Sequence, residues 1–132
     1  MSKLKALVVD DEQDICEFLK ERLESMGLEV FGVFSGDKAM EIMEQHELQF
    51  ALVDLKLASA LTGIDVLRAI RKKYPTAVLI AMSGFVDIAL RQETGRLGVD
   101  AYFSKPDDVR PELFENKVRE LMGKKGWNIP EV

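Results

Sequence analysis

Leu4-Lys5-Ala6-Leu7-Val8-Val9, followed at once by Asp10-Asp11-Glu12, opens a run to Gly27 in which Ile15, Phe18, Leu19, Leu23 and Met26 recur at three- and four-residue steps. The short apolar run reads as a buried strand, and the longer spacing that follows reads as an amphipathic helix. Asp11 stands at the N-cap position and Gly27 at the stop. The same alternation continues along the chain. Residues 28–33 read as a second strand, and Ser35 caps a helix carrying Ala39, Ile42 and Met43. Residues 50–53 make a third strand that ends at Asp54. After a long loop, Ile64, Leu67 and Ile70 mark a third helix closing before Pro75. Residues 77–82 make a fourth strand ending at Ser83, residues 85–97 a helix with a poor apolar stripe, and residues 99–103 a fifth strand. Leu113, Phe114, Val118 and Leu121 mark the last helix.

Five strand–helix units with near-continuous apolar strands imply an α/β fold, a doubly wound five-stranded parallel sheet with helices on both faces. Right-handed crossovers favour the flavodoxin-like order 2-1-3-4-5, with the functional site at the carboxyl ends of the strands. Residues 1–122 account for one domain, and residues 123–132 read as a C-terminal tail or the start of a linker, with Trp127 in it. The 132 residues carry 18 Lys+Arg against 23 Asp+Glu, a net charge of −5. That mixed, mildly acidic balance lacks the basic footprint of a nucleic-acid or anionic-membrane surface. Cys16 is the only cysteine, so an intramolecular disulfide and a multi-cysteine zinc site are excluded. No apolar run approaches the ~20 residues of a membrane span, and no signal peptide is evident. A cytoplasmic location without membrane insertion follows as an expectation.

The first residues after strands one, three, four and five are Asp10 with Asp11, then Asp54, Ser83 and Lys105. Distant in sequence, they share one rim of such a sheet. Carboxylates brought together repel one another unless a cation lies between them. Asp10, Asp11 and Asp54 therefore form a candidate site for a hard divalent ion, with magnesium the natural occupant. A carboxylate beside such an ion can attack phosphorus, with Lys105 countering charge on the phosphoryl oxygens and Ser83 donating to them. Taken singly, each residue has an ordinary explanation: Asp11 a helix cap, Asp54 a turn, Ser83 a cap for the fourth helix. Their coincidence at the strand ends of one sheet carries the functional reading. Tyr102 reads equally as filler or as a moving part. His46, among Glu44, Gln45 and Glu47, reads as a solvated residue away from the rim, and Cys16 as a partly buried thiol.

The segments Leu7-Val8-Val9-Asp10-Asp11-Glu12, Leu52-Val53-Asp54-Leu55, Met82-Ser83-Gly84 and Leu97-Gly98-Val99-Asp100-Ala101-Tyr102-Phe103-Ser104-Lys105-Pro106 together resemble the receiver domain of two-component response regulators, in its chemotaxis-receiver-like single-domain form. The resemblance covers residues 3–122. It implies that Asp54 is the phosphoacceptor, that Asp10, Asp11 and the Lys56 backbone carbonyl join it in holding Mg2+, and that Lys105 assists the transfer. It implies further that Ser83 and Tyr102 are the switch residues, that the Lys105–Pro106 peptide is cis, and that Lys56 and Phe85 tune hydrolysis. Such a protein is not a conventional enzyme, but catalyses its own aspartyl phosphorylation and dephosphorylation. Its implied partners are a sensor histidine kinase or phosphotransfer protein and a downstream protein effector met through the fourth helix, fifth strand and fifth helix. No direct nucleic-acid contact is expected, and the chain would be a monomer or weak dimer.

One departure stands out. The family usually has Pro four residues after the acceptor and Gly eight after it, whereas here Ala58 takes the first place and Gly63 comes nine after Asp54. The longer loop motivates an alternative, a receiver-like interaction module that works without phosphorylation. A third reading, an aspartyl-nucleophile phosphatase, wants a second Asp two residues after the nucleophile, and that place holds Glu12 if Asp10 is the nucleophile.

Overall fold

The computed structural model describes residues 3–58, 60–84 and 87–129. Its elements run β1 (Lys5–Val9), α1 (Gln13–Ser25), β2 (Glu29–Val33), α2 (Gly36–Gln45), β3 (Phe50–Asp54), α3 (Gly63–Lys73), β4 (Val78–Ser83), α4 (Ile88–Leu97), β5 (Ala101–Ser104) and α5 (Pro111–Lys124), with a 3-10 turn at Asp107–Val109 before α5. The strands pair in parallel in the order β2-β1-β3-β4-β5, the expected doubly wound arrangement.

Side chains alternate across each strand, which sorts the core into two layers. Ala6, Val8, Phe50, Leu52, Val78, Ile80, Met82 and Phe103 face α1 and α5, where Leu19, Leu23, Phe114 and Val118 meet them. Leu7, Val9, Ala51, Val53, Leu79 and Ala81 face the other way, against Ala39 and Met43 of α2 and Val66, Leu67 and Ile70 of α3. Because β1, β3 and β4 are covered on both sides, their sequences are apolar at nearly every position rather than at every second one.

Several boundaries differ from the sequence reading, each for a local reason. Asp11 does not cap α1: Glu12 holds the N-cap position without a side-chain bond, and the Asp11 carboxylate accepts instead from the Ala58 N–H at 3.1 Å. The fourth helix starts at Ile88 because Asp87, not Ser83, caps it by accepting from the Leu90 N–H. β5 starts at Ala101, since Gly98 turns in the left-handed region (φ 87) and Asp100 is drawn aside to accept from the Leu79 N–H at 2.8 Å. α5 continues through Gly123 to Lys124, and Trp127 packs back on the α1/α5 layer with its indole N–H donating to the Thr76 carbonyl at 3.0 Å. His46 is half-buried rather than freely solvated, stacked on Phe31 with ring centroids 4.2 Å apart. The Cys16 thiol is buried in the α1 layer, and burial pushes its pKa up to about 11, which keeps it an unreactive thiol. Among the described residues, no helix is long and apolar enough to cross a membrane.

Candidate functional site

Parity and register bring the acidic residues together before any side-chain contact is considered. Val9 pairs with Val53, so the next residues along the two strands, Asp10 and Asp54, emerge side by side on the face continued from Val8 and Leu52. β3 is bound on its other edge to β4, with Asp54 opposite Met82, and the Leu55 N–H extends that pairing to the Met82 carbonyl at 2.9 Å. Ser83 pairs with Ser104, and the Lys105 N–H donates to the Ser83 carbonyl at 2.9 Å. The sheet thus delivers Asp10, Asp54, Ser83 and Lys105 to one rim. The Lys105–Pro106 peptide is cis.

The Lys105 ammonium lies between the two buried carboxylates. It donates to Asp10 Oδ2 at 3.0 Å and to Asp54 Oδ2 at 2.9 Å, with Glu12 Oε1 at 3.8 Å. Each carboxylate also accepts a backbone bond from two residues ahead: Asp10 Oδ1 from the Glu12 N–H at 2.9 Å, and Asp54 Oδ1 from the Lys56 N–H at 3.0 Å. These short local turns aim the carboxylates outward from the strand ends. Asp10 is fully buried and Asp54 is 4% exposed. Burial holds the Asp54 carboxyl above the usual carboxylate range and the Asp10 charge adds to this, against the Lys56 N–H and Lys105. Burial acts to lower the Lys105 proton affinity, but Asp54 and Asp10 outweigh it and the ammonium is held above its ordinary value. One ammonium therefore sits among more negative charge than it can neutralise.

Oxygens of Asp10, Asp11 and Asp54 lie within 4.8 Å of one another. Asp11 and Asp54 border an open cleft of about 250 Å³, lined also by Glu12, Lys56, Gly84 and Lys105, with Asp10 buried behind it. All the donors are hard oxygens, the cluster carries surplus negative charge, and the cleft exceeds the ~30 Å³ share of one water several-fold. The residues fit a divalent cation that keeps part of its hydration, with room for a tetrahedral anion beside it.

Of the other residues singled out in the sequence, Ser83 ends β4 and is buried. Tyr102 is half-buried on the α2/α3 side of β5, with the Arg91 guanidinium carbon 5.1 Å from its ring centroid. Phe85 lies outside the described residues. The structure adds three participants. Gly63, the first residue of α3, presses on the backbone of the acidic strand end: a Cβ there would lie 2.2 Å from the Asp54 carbonyl oxygen. Ala58 reaches Asp11 through its backbone amide, a donor that has no residue signature. Asp108 accepts from the Ser104 N–H at 2.8 Å and pairs with Lys117, holding the strand end that carries Lys105. A carboxylate three residues after that lysine was the legible signal for it.

Comparison with known proteins gives a consistent result. The family described as response regulator receiver domain matches residues 6–116. A CheY-like receiver domain protein from Methanospirillum hungatei is 27% identical, with a TM-score of 0.87 over 95% of this chain and 98% of that one. A receiver domain protein from Clostridium thermocellum is also 27% identical, with a TM-score of 0.81 over 93% and 97% of the two chains. The chemotaxis protein CheY4 of Vibrio cholerae shares the fold, with a TM-score of 0.81 at 20% identity over 91% and 99%.

Proposed function

The chain belongs to the response regulator receiver domain family of two-component signalling, and from that premise we propose that it is a phosphorylation-controlled switch whose phosphoacceptor is Asp54. The observation that carries this reading is the Lys105 ammonium held at 2.9–3.0 Å from two buried carboxylates at the rim of an open cleft. An Asp54 oxygen attacks the phosphorus of a kinase or phosphotransfer-protein phosphohistidine, the P–N bond breaks as the P–O bond forms, and the departing imidazole takes up a proton. Asp10 and Asp11, with Asp54 and the Lys56 carbonyl, are the residues that would hold Mg2+, which supplies charge neutralisation for the transferring oxygens. Lys105, released from part of its pairing with Asp54, turns its charge to the phosphoryl group. Water attack on phosphorus later returns the free carboxylate and inorganic phosphate, with Lys56 lining the cleft through which it approaches.

The added dianion favours a Ser83 hydroxyl turned toward it, and Tyr102 and α4 repack in response, changing the α4/β5/α5 surface offered to a protein effector. In this reading the domain comprises residues 1–122 and works in the cytoplasm as a monomer or weak dimer. It catalyses only its own phosphorylation and dephosphorylation. The test is incubation with acetyl phosphate or phosphoramidate followed by intact-mass measurement. One acid-labile phosphoryl group appears with Mg2+, none appears with a chelator, and Asp54→Asn abolishes labelling. Undiminished labelling of that variant rejects Asp54 as acceptor. A folded wild type that never labels supports the constitutive interaction module instead. Amide shifts from Ser83 to Phe103 that ignore the phosphodonor reject the switch.

A further inference from the structure

The three clustered carboxylates are not equally held. Asp10 and Asp54 are buried, and each is bonded both to a local N–H and to Lys105. Asp11 is half-buried, and among the described residues no ammonium or guanidinium lies within 4.0 Å of it. Like-charge repulsion therefore acts on Asp11 with the least opposition, driving it out toward water and away from the other two. The contact working against that drift comes from the loop between β3 and α3, where the Ala58 N–H donates to Asp11 Oδ2 at 3.1 Å.

We infer that Ala58 is a positioning residue for the cation site. Its backbone N–H holds the Asp11 carboxylate beside Asp10 and Asp54 before any ion arrives, and so raises the affinity of the site for a divalent cation. The inference rests on reading the acidic cluster as a Mg2+ site. It needs no side chain at position 58, only an amide hydrogen, and proline is the one residue that lacks it. By linkage, a cation that requires Asp11 in place also favours the loop conformation that presents Ala58.

The experiment is calorimetric titration of the full chain with MgCl2 alone, without phosphodonor, for wild type, Ala58→Gly and Ala58→Pro. Glycine keeps the N–H and loosens the loop, whereas proline removes the N–H and stiffens it. If the amide matters, Ala58→Gly binds within about twofold of wild type and Ala58→Pro binds roughly tenfold more weakly, as when an outer hydrogen-bond partner of a metal ligand is lost. Equal affinity for wild type and Ala58→Pro overturns the inference, as does weakening by glycine but not by proline. A wild type that binds no Mg2+ overturns the site reading itself, a different result. Should Ala58→Pro not fold, amide exchange of Ala58 in the metal-free protein decides. Asp11→Ala should accelerate it about tenfold or more, and an unchanged rate sinks the proposal.

Discussion

α3 and α4 are neighbours over the same face of the sheet and are held in opposite ways. α3 begins with a reciprocal capping box, Thr62 accepting from the Asp65 N–H while Asp65 accepts from the Thr62 N–H, and it buries Ile64, Val66, Leu67 and Ile70. α4 buries only Thr94, leaves Ile88 70% exposed, and packs Leu90 and Leu97 partly. The strands beneath repeat the contrast. β4 is buried at every position, whereas in β5 only Phe103 is. The centre of the sheet, which aims Asp10 and Asp54, is a fixed platform, while the edge beside Lys105 can repack at small cost in lost apolar contact. Elements that move are drawn from the weakly held end of a structure, so the asymmetry fits a switch read at α4 and β5.

The widest gap should come from truncating equivalent leucines. Leu67→Ala should cost about 3 kcal/mol, the usual range for a fully buried leucine. Leu90→Ala should cost less than about 1.5 kcal/mol, because it removes contacts already shared with water. Urea denaturation checks both, and equal costs would break the contrast. Next comes Arg71, which spans the two regions. Its guanidinium donates to the Pro75 and Ala77 carbonyls at 3.0 and 2.8 Å, and to Gly98 O and Asp100 Oδ2 at 2.7 and 3.0 Å. It thereby pins the carboxyl end of α4, whereas the amino end rests on the Asp87 cap and leaves Ile88 exposed. Arg71→Ala should cost about 2 kcal/mol by stripping four acceptors at once, of which the Ala77 carbonyl and the Asp100 carboxylate are shielded from water. Arg71→Lys should recover less than half of that, since one ammonium cannot span four acceptors. Full recovery by lysine would mean that charge alone matters there.

The near-continuous apolar runs of the strands and the Asp, Ser and Lys at their ends were legible because a doubly wound sheet buries its strands on both faces and brings their carboxyl ends to one rim. What was not legible was decided by tertiary partners. Asp10-Asp11-Glu12 offers three consecutive capping candidates, and Asp11 is diverted by an amide 47 positions away. Val99 and Asp100 look like strand residues, but Asp100 is claimed by Arg71 and by the Leu79 N–H. Gly123 and Gly126 are both plausible helix stops, and only Gly126 takes a left-handed φ, of 82°. Trp127 meets Thr76, a contact without any local pattern.

Caps give a smaller and sharper test of the same contrast. Thr62→Ala and Asp87→Ala each remove one capping acceptor, a change usually near 1 kcal/mol. For Thr62 the loss should appear in global unfolding, because α3 unfolds with the core. For Asp87 it should appear mainly as faster amide exchange within α4, with the urea midpoint nearly unmoved. A midpoint that shifts equally for both would mean that α4 belongs to the same cooperative unit.

The smallest effect should be the acid sensitivity of the latch at the loose edge. Burial acts to raise the Asp108 carboxyl, but the Lys117 ammonium, the Ser104 N–H and the Arg91 charge outweigh it, so its pKa lies below the ordinary carboxylate range. A carboxyl lowered in the folded state contributes stability that is present above the unfolded Asp value of about 3.9 and is lost as pH falls through the lower folded value. Wild type should therefore exceed Asp108→Asn by a constant margin from about pH 5 to 7, and the margin should shrink below about pH 4. Because Lys117 and Asp108 are 39% and 24% exposed, solvent screening keeps the margin under about 1 kcal/mol. Urea midpoints at pH 7 and pH 2.5 measure it. If the margin is the same at both, Asp108 holds the Lys105 strand end by hydrogen-bond shape alone, and the edge carries no charge latch.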